Sequence, residues 1–121
     1  MRESTAPGRG AAIAAGLGIA AMVVAIAHGF VAGDLVAEGW AVASVPWGQA
    51  MLTDLLTGFL LFGCWMAWRE PTAGRAVAWI VALLLLGNLV ACVYVLLALQ
   101  RAGGDADRFW NGPARAGREA A

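Results

Sequence analysis

Three long runs of mostly apolar residues follow one another along the chain, separated by shorter polar stretches. The runs cover residues 11–32, 46–68 and 76–99. About 20 predominantly apolar residues in a helix are enough to cross the hydrocarbon core of a bilayer. Lipid offers the backbone no hydrogen-bond partners, so a crossing segment of this kind must be helical. The pattern therefore predicts an all-α fold, a three-helix transmembrane bundle, with one transmembrane domain over residues 11–99.

The polar stretches predict how the helices connect. Residues 33–45 hold two acidic residues and a tryptophan, which is too polar for a crossing and suits a short segment at the membrane surface. In residues 69–75, Pro71 stops the preceding helix and Gly74 permits a reversal. Helices two and three are thus expected to form an antiparallel hairpin.

The two ends of the chain are polar. Residues 1–10 form a polar leader, and from residue 100 to 121 the composition changes to Arg, Asp, Gly and Pro. This change predicts a flexible tail. The tail motif Arg108-Phe109-Trp110-Asn111 is interpreted either as a docking segment for a partner or as an adsorbed or disordered end.

The composition supports a membrane protein and excludes several other classes. Apolar residues make up 61% of the chain and charged residues 13%, which fits neither an ordinary soluble domain nor a disordered chain. The net charge is zero and the arginines form no stripe, which argues against nucleic-acid binding. With one His and two Cys without CxxC spacing, we expect no metal site, no bis-His haem and no cofactor.

The arginines predict an orientation. Two lie in the leader and two in the second loop, while the first loop has none, so the amino terminus and the second loop are placed in the cytoplasm of a bacterial inner membrane. The four arginines after residue 100 would then lie on the far side, against the same rule. An alternative to a first membrane span is that residues 11–32 belong to a cleaved signal peptide.

The interfacial anchors are expected to be Trp47 at one end and Trp65, Trp68 and Trp79 at the other.

Helical projection predicts which faces pack. In the first helix the small residues share one side with His28, and this side is expected to face the protein because membrane helices associate through small residues. In the second helix Asp54 is expected to face inward and Phe59 and Met66 outward. In the third helix Asn88 is placed inward. The small-residue side of the first helix comprises Ala14, Gly18, Ala21, Ala25, His28 and Ala32.

These faces predict an intramembrane polar cluster of His28, Asp54 and Asn88, supported by Gln49 and Thr57. A carboxylate at the bilayer centre costs ~2.5 to 3.5 kcal/mol, so it must be paired, protonated or hydrated. One interpretation is a site that handles protons or binds a ligand. The other, which we favour, is that the three residues join the helices by hydrogen bonds. No catalytic constellation is visible.

A family resemblance rests on residues spread over helices two and three. In order along the chain these are Asp54, Gly58-Phe59, Trp65, Trp68-Arg69-Glu70, Trp79, Leu85-Leu86-Gly87-Asn88, Tyr94 and Leu96-Leu97. This set resembles a family of uncharacterised small bacterial integral membrane proteins, a domain of unknown function with plant relatives. The resemblance implies that Asp54 and Asn88 are the polar signature, and it implies no activity, cofactor or partner.

Together these observations predict a non-enzymatic accessory or interaction subunit of a membrane complex, bound to a partner membrane protein or to further copies of itself in the lipid bilayer. The alternative is a minimal proton-coupled carrier or ion-conducting component that uses Asp54 as its titrating group.

Overall fold

The computed structural model describes residues 8–112, and these residues are almost entirely helical, with no β-strand among them. The predicted all-α class is confirmed. Most of the leader and residues 113–121 of the predicted tail lie outside the described residues. The helices are α1 (Arg9–Ala32), α2 (Leu35–Ser44), α3 (Pro46–Arg69), α4 (Ala73–Leu86), α5 (Asn88–Ala102) and α6 (Ala106–Asn111).

The two longest helices, α1 and α3, correspond to the first two apolar runs. Pro46 occupies the first turn of α3, where its missing N–H costs nothing, and the helix ends at the residue that precedes Glu70-Pro71. Between the two helices, α2 begins directly after Asp34, whose carboxylate accepts hydrogen bonds from the N–H groups of Val36 and Ala37. Asp34, one of the two acidic residues in the first loop, is therefore a helix cap.

The third apolar run forms a helical hairpin in place of the single helix predicted over residues 76–99. Gly87, with φ 65° and ψ −142°, separates α4 from α5. The ring centroids of Trp79 and Tyr94 are 5.0 Å apart, whereas fifteen residues of a straight helix would separate them by about 22 Å. Leu83 and Val90, which are nearer to Gly87, share one core cluster. The chain thus reverses at Gly87 and α5 runs back beside α4.

The contacts of α1 place its first half beside the first half of α5, in opposite directions. A Cβ built on Gly18 would lie 2.5 Å from Cys92 Sγ, so the two backbones approach closely there. Ala11 and Ala15 line a cleft with Val95. Helix α1 is therefore antiparallel to α5 and extends beyond the hairpin turn at its other end.

The reversal at Gly87 brings all described arginines to one end of the molecule, which we call the arginine end. It comprises the start of α1, the α3–α4 turn, the end of α5 and α6. The opposite end, formed by the α1–α2 connection, α2 and the start of α3, carries Asp34 and Glu38 and no arginine within residues 8–112. The expectation that the arginines after residue 100 lie on the far side is wrong for the two described, Arg101 and Arg108, because it assumed an unbroken third helix.

Residues 100–112 also differ from the predicted flexible tail. Helix α5 continues to Ala102, and α6 packs back with Phe109 only 4% exposed, in a cluster with Ala98 and Ala102. Asp105 caps α6 by accepting from the N–H groups of Asp107 and Arg108. The buried ring of Phe109 and the Asp105 cap both help to hold this short segment on the helical core.

The main core lies between α3, α4 and α5, and it is built on faces other than those predicted. Phe59 and Met66, expected to face outward, are buried with Leu83, Val90 and Tyr94. In α1 the buried residue is Ala15, and the side that carries His28 is exposed apart from Gly18, which is half-buried against Cys92. The packing side of α1 is thus rotated by about 100°, one residue along the helix, from the predicted side.

Candidate functional site

The structure divides the predicted polar cluster. Asp54 and Asn88 line one open cleft of about 240 Å³ between α3 and the start of α5, together with Gly58 and Phe62. His28 is not among the residues that line this cleft, because it lies on the side of α1 turned away from α5. All three side chains are exposed. Within residues 8–112, none of the three has a hydrogen bond or an ion pair.

The two supporting residues are bonded to nearby backbone and do not contact Asp54 through hydrogen bonds. Thr57 Oγ1 donates to the carbonyl of Thr53 at 2.7 Å, as expected for a threonine inside a helix. Gln49 Nε2 donates to the carbonyl of Ala43 at 3.1 Å and so joins α3 to α2. These bonds fix local geometry at the end of the molecule opposite the arginines.

A second polar cluster, which the sequence did not predict, lies at the arginine end. We call it the Arg69 cluster: Arg69, Glu70, Arg75, Tyr94 and the backbone of α6. Arg69 is 6% exposed. Its Nε donates to the Phe109 carbonyl at 2.6 Å and its Nη1 to the Tyr94 hydroxyl at 2.9 Å. A third, longer bond runs from Nη2 to the Arg108 carbonyl at 3.4 Å.

The Tyr94 hydroxyl connects two opposite charges in this cluster. It accepts from Arg69 and donates to Glu70 Oε1 at 2.8 Å. The carboxylate of Glu70 also pairs with Arg75, whose Nε lies 3.3 Å from Oε2. The side chain of Glu70 is 5% exposed and that of Arg75 is 52% exposed. A buried cation and a buried anion thus each have polar partners, as a desolvated charge requires.

Aromatic rings enclose the guanidinium of Arg69. Its Cζ lies 5.3 Å from the ring centroid of Trp65 and 5.2 Å from that of Tyr94, within cation–π range. Trp65 and Trp79 are half-buried in this group, so they contact the protein on one side, while Trp47 is 83% exposed and Trp68 49% exposed. Of the predicted anchors, Trp65 and Trp79 therefore pack inside the protein, Trp68 lies at its edge, and Trp47 projects from it.

The tryptophans of α3 also hold α6. Trp65 Nε1 donates to the carbonyl of Trp110 at 3.0 Å, and Trp68 Nε1 donates to Asn111 Oδ1 at 3.0 Å. Gly112, with φ 80°, passes so close to the Arg69 carbonyl that a Cβ would collide with it. The motif Arg108-Phe109-Trp110-Asn111 thus docks on its own chain.

The chemistry available at the two clusters differs. In the Arg69 cluster the charged groups are paired, and the arrangement joins three helices and α6. In the Asp54–Asn88 cleft a carboxylate and an amide are accessible and have no partner within the described part of the chain. No group of three potential metal ligands occurs among residues 8–112.

Sequence reasoning missed the Arg69 cluster because Arg69 and Glu70 were read as charges of a polar turn. Three signals were present: a charged pair directly after a Trp-rich helix end, the chain's only tyrosine in an apolar run, and an aromatic motif in the tail. These three sequence features lie together only because the chain reverses at Gly87. The reversal returns Tyr94 to the level of Trp65.

Comparison of the chain with protein-family models, with curated proteins and with solved structures found no match.

Proposed function

We propose that the chain is a small multi-pass protein of the bacterial inner membrane that serves as a non-enzymatic accessory or interaction subunit of a membrane complex. The observation that supports membrane insertion is the exposure of its two long apolar helices. The most apolar 18-residue windows of α1 and α3 have mean hydropathies of 2.3 and 1.5, yet only 6% and 11% of each window is buried inside the protein. Core helices of soluble proteins are apolar because they are buried.

The dimensions are compatible with this environment. Each of the two helices has 24 residues, a length of about 36 Å at 1.5 Å per residue, and the hydrocarbon core is ~30 Å thick. Large side chains along them, such as Leu17 at 67% and Leu60 at 67% exposure, face outward. In water these surfaces would favour aggregation, whereas in a bilayer they contact lipid or another membrane helix.

The proposed topology has two full spans and a hairpin. Helices α4 and α5, with 14 and 15 residues, are only about 21 to 22 Å long, so the hairpin enters from the arginine end and turns inside the bilayer. The turn supplies its own hydrogen bonds, from Gly87 N–H to the Leu83 carbonyl and from Val90 N–H to the Gly87 carbonyl. The positive-inside rule places the arginine end in the cytoplasm.

Two properties of the described residues support the accessory role. Residues 8–112 contain no nucleophile next to a base, and their largest surfaces are apolar helix faces suited to another membrane protein. In this proposal α1 stays in the mature protein as the first span, because its packing on α5 would be lost with a cleaved signal peptide. The resemblance of residues 52–97 to the uncharacterised membrane family belongs to the same proposal and adds no activity.

Membrane extraction and cysteine labelling test this proposal. We expect the protein to stay in the membrane fraction at alkaline pH. Single cysteines are placed at Gly39, Gly74 and Arg101 in a variant without Cys64 and Cys92. An impermeant reagent should label the last two positions from the cytoplasm and Gly39 only from the other side. Release into the soluble fraction would contradict the membrane assignment, and labelling of positions 39 and 101 from the same side would contradict the hairpin.

A second candidate function is the proton-coupled carrier or ion-conducting component that uses Asp54. The observation in its favour is that Asp54 shares a cleft with Asn88 at the first turn of a helix that is interrupted within the apolar region, a feature of transporter sites. It predicts that reconstituted vesicles dissipate a proton gradient and that Asp54→Asn abolishes this activity. An accessory subunit shows no such activity with either residue.

A further inference from the structure

The two helix sides that the sequence marks as packing surfaces are both largely exposed in the single chain. The first, the His28 side of α1, comprises Ala14, Gly18, Ala21, Ala25, His28 and Ala32, all exposed except Gly18, which is half-buried against Cys92. The second, the Asp54 side of α3, comprises Ala50, Asp54, Thr57, Gly58, Leu61, Cys64 and Trp65, all exposed except Trp65, which is half-buried against the core. In a bilayer, small residues permit close approach of two helices, and polar side chains hydrogen-bond across the contact. These sides have the chemistry of a helix–helix contact that the chain does not make with itself.

The polar residues on the two sides are complementary. The imidazole of His28 carries an N–H donor, and the carboxylate of Asp54 is an acceptor. Neither has a hydrogen bond or ion pair with any residue from 8 to 112. Inside a bilayer an unpaired carboxylate is costly unless it is protonated or hydrated, and a donor from a second copy would supply the missing partner of Asp54.

The two residues also lie at similar depths. His28 is four residues before the end of α1, and Asp54 is eight residues after the start of α3. Both helix ends lie at the end of the molecule opposite the arginines. At 1.5 Å per residue these positions are about 6 and 12 Å from that end, a difference of about 6 Å. Two copies inserted in the same direction keep this difference, which the two side chains can span.

We propose that the chain self-associates in the membrane through these two sides, with His28 of one copy donating a hydrogen bond to Asp54 of a second copy. The inference rests on the proposed membrane insertion and names the partner. A second copy fits better than an unrelated helix because one chain carries both halves of the contact, each exposed and at matching depth. The remaining apolar exposure of α4 stays in contact with lipid.

Disulfide formation between copies tests the contact directly. In a background with Cys64→Ala and Cys92→Ala, the pair His28→Cys and Asp54→Cys is oxidised in native membranes. We expect a disulfide-linked dimer that runs at twice the monomer mass and disappears on reduction. The matched control combines His28→Cys with Leu52→Cys, because Leu52 is two residues from Asp54 and lies on the other side of α3. The control pair should give a much weaker dimer band.

Self-association in vesicles provides a second measurement that does not need the cysteines. Resonance energy transfer between labelled copies, diluted with lipid, gives the dissociation constant. Asp54→Leu should raise this constant about three- to twentyfold, the range that interhelical hydrogen bonds support. The exchanged variant His28→Asp with Asp54→His should restore most of the affinity. Asp34→Asn, which keeps the cap oxygen of α2, should leave the constant unchanged.

Each outcome decides the inference. A membrane-embedded protein that stays monomeric on concentration, or that gives equal dimer bands with cysteines at 54 and 52, overturns the self-association and leaves the membrane assignment intact. Loss of a different co-purified protein on Asp54→Leu, without energy transfer between copies, also overturns it and identifies an unrelated partner. Failure to enter the membrane at all would refute the proposed function first.

Discussion

Replacing Arg69 by methionine tests whether the Arg69 cluster holds α6 on the helical core. Methionine keeps an unbranched apolar stem between Trp65 and Tyr94 but removes the guanidinium and its hydrogen bonds. Two of these bonds go to α6, a short one to the Phe109 carbonyl at 2.6 Å and a longer one to the Arg108 carbonyl at 3.4 Å, and both come from a charged donor. Such bonds contribute ~1.5 to 3 kcal/mol each. Because the second bond is long and water can reach α6 once it detaches, we count the short bond alone at the lower value and expect a loss of about 1.5 kcal/mol.

Proteolysis at Arg108 measures this loss. Arg108 lies in the middle of α6, so trypsin can cleave after it only when the segment detaches from the core, and the cleavage rate follows the detached population. A change of 1.5 kcal/mol corresponds to about tenfold faster cleavage at this bond. Mass spectrometry of the protein in lipid nanodiscs separates this cleavage from cleavage at other arginines.

Arg75→Met is the matched control. It also removes one arginine from the cluster, but the head group of Arg75 is half exposed and has one ion pair, to Glu70. Exposed ion pairs contribute ~0 to 1 kcal/mol, so cleavage at Arg108 should rise less than about fivefold. If Arg69→Met and Arg75→Met accelerate cleavage equally, or if Arg69→Met leaves the rate within threefold of the wild type, the Arg69 bonds do not hold α6.

Two glycine substitutions test the hairpin and the α1–α5 contact, with stability measured by unfolding in mixed micelles at increasing detergent fraction. Gly87→Ala should destabilise the protein by about 1 to 3 kcal/mol, because φ is 65° and ψ −142° there and a Cβ is strained in that conformation; an unchanged midpoint would refute the reversal at this residue. Gly18→Ala should cost a similar amount, about 1 to 3 kcal/mol, because its Cβ would meet Cys92 Sγ, and Cys92→Ala should restore stability in the double variant. Gly16→Ala, with open space around it, should not destabilise the protein, because alanine is the better helix former, and it serves as the control for both.

The sequence predicted the helices well where one physical requirement decided them. The first two apolar runs became α1 and α3 within two residues of the predicted bounds. The third run failed at Gly87. Its 24 residues meet the length and hydropathy requirement for one span, and a glycine inside a membrane helix is common, so local sequence does not distinguish one long helix from two short ones. What distinguishes them is the long-range bond of Tyr94 to Glu70.

The residues of the candidate site could be predicted from the sequence, but their positions relative to one another could not. His28, Asp54 and Asn88 were selected as polar residues within apolar runs, and the structure brings two of them to one cleft. A helical projection shows which side of a helix is suited to packing. It does not show whether that side packs within the chain or against another molecule. In this chain the core of α3 forms from its bulky side, with Phe59 and Met66.

This distinction explains why two packing sides occur on one helix. A bulky apolar side such as that of Phe59 fills the space between α3 and the hairpin and stabilises the monomer through contact area. A side of small and polar residues contributes little area, and in lipid it gains stability only when another helix comes close enough for backbone contact and hydrogen bonds. Such a side has no advantage if it faces acyl chains, where Asp54 would be left without a partner. The exposure of both small-residue sides is therefore better explained by contact with another helix than by lipid contact, and the experiment with cysteines at positions 28 and 54 separates the two explanations.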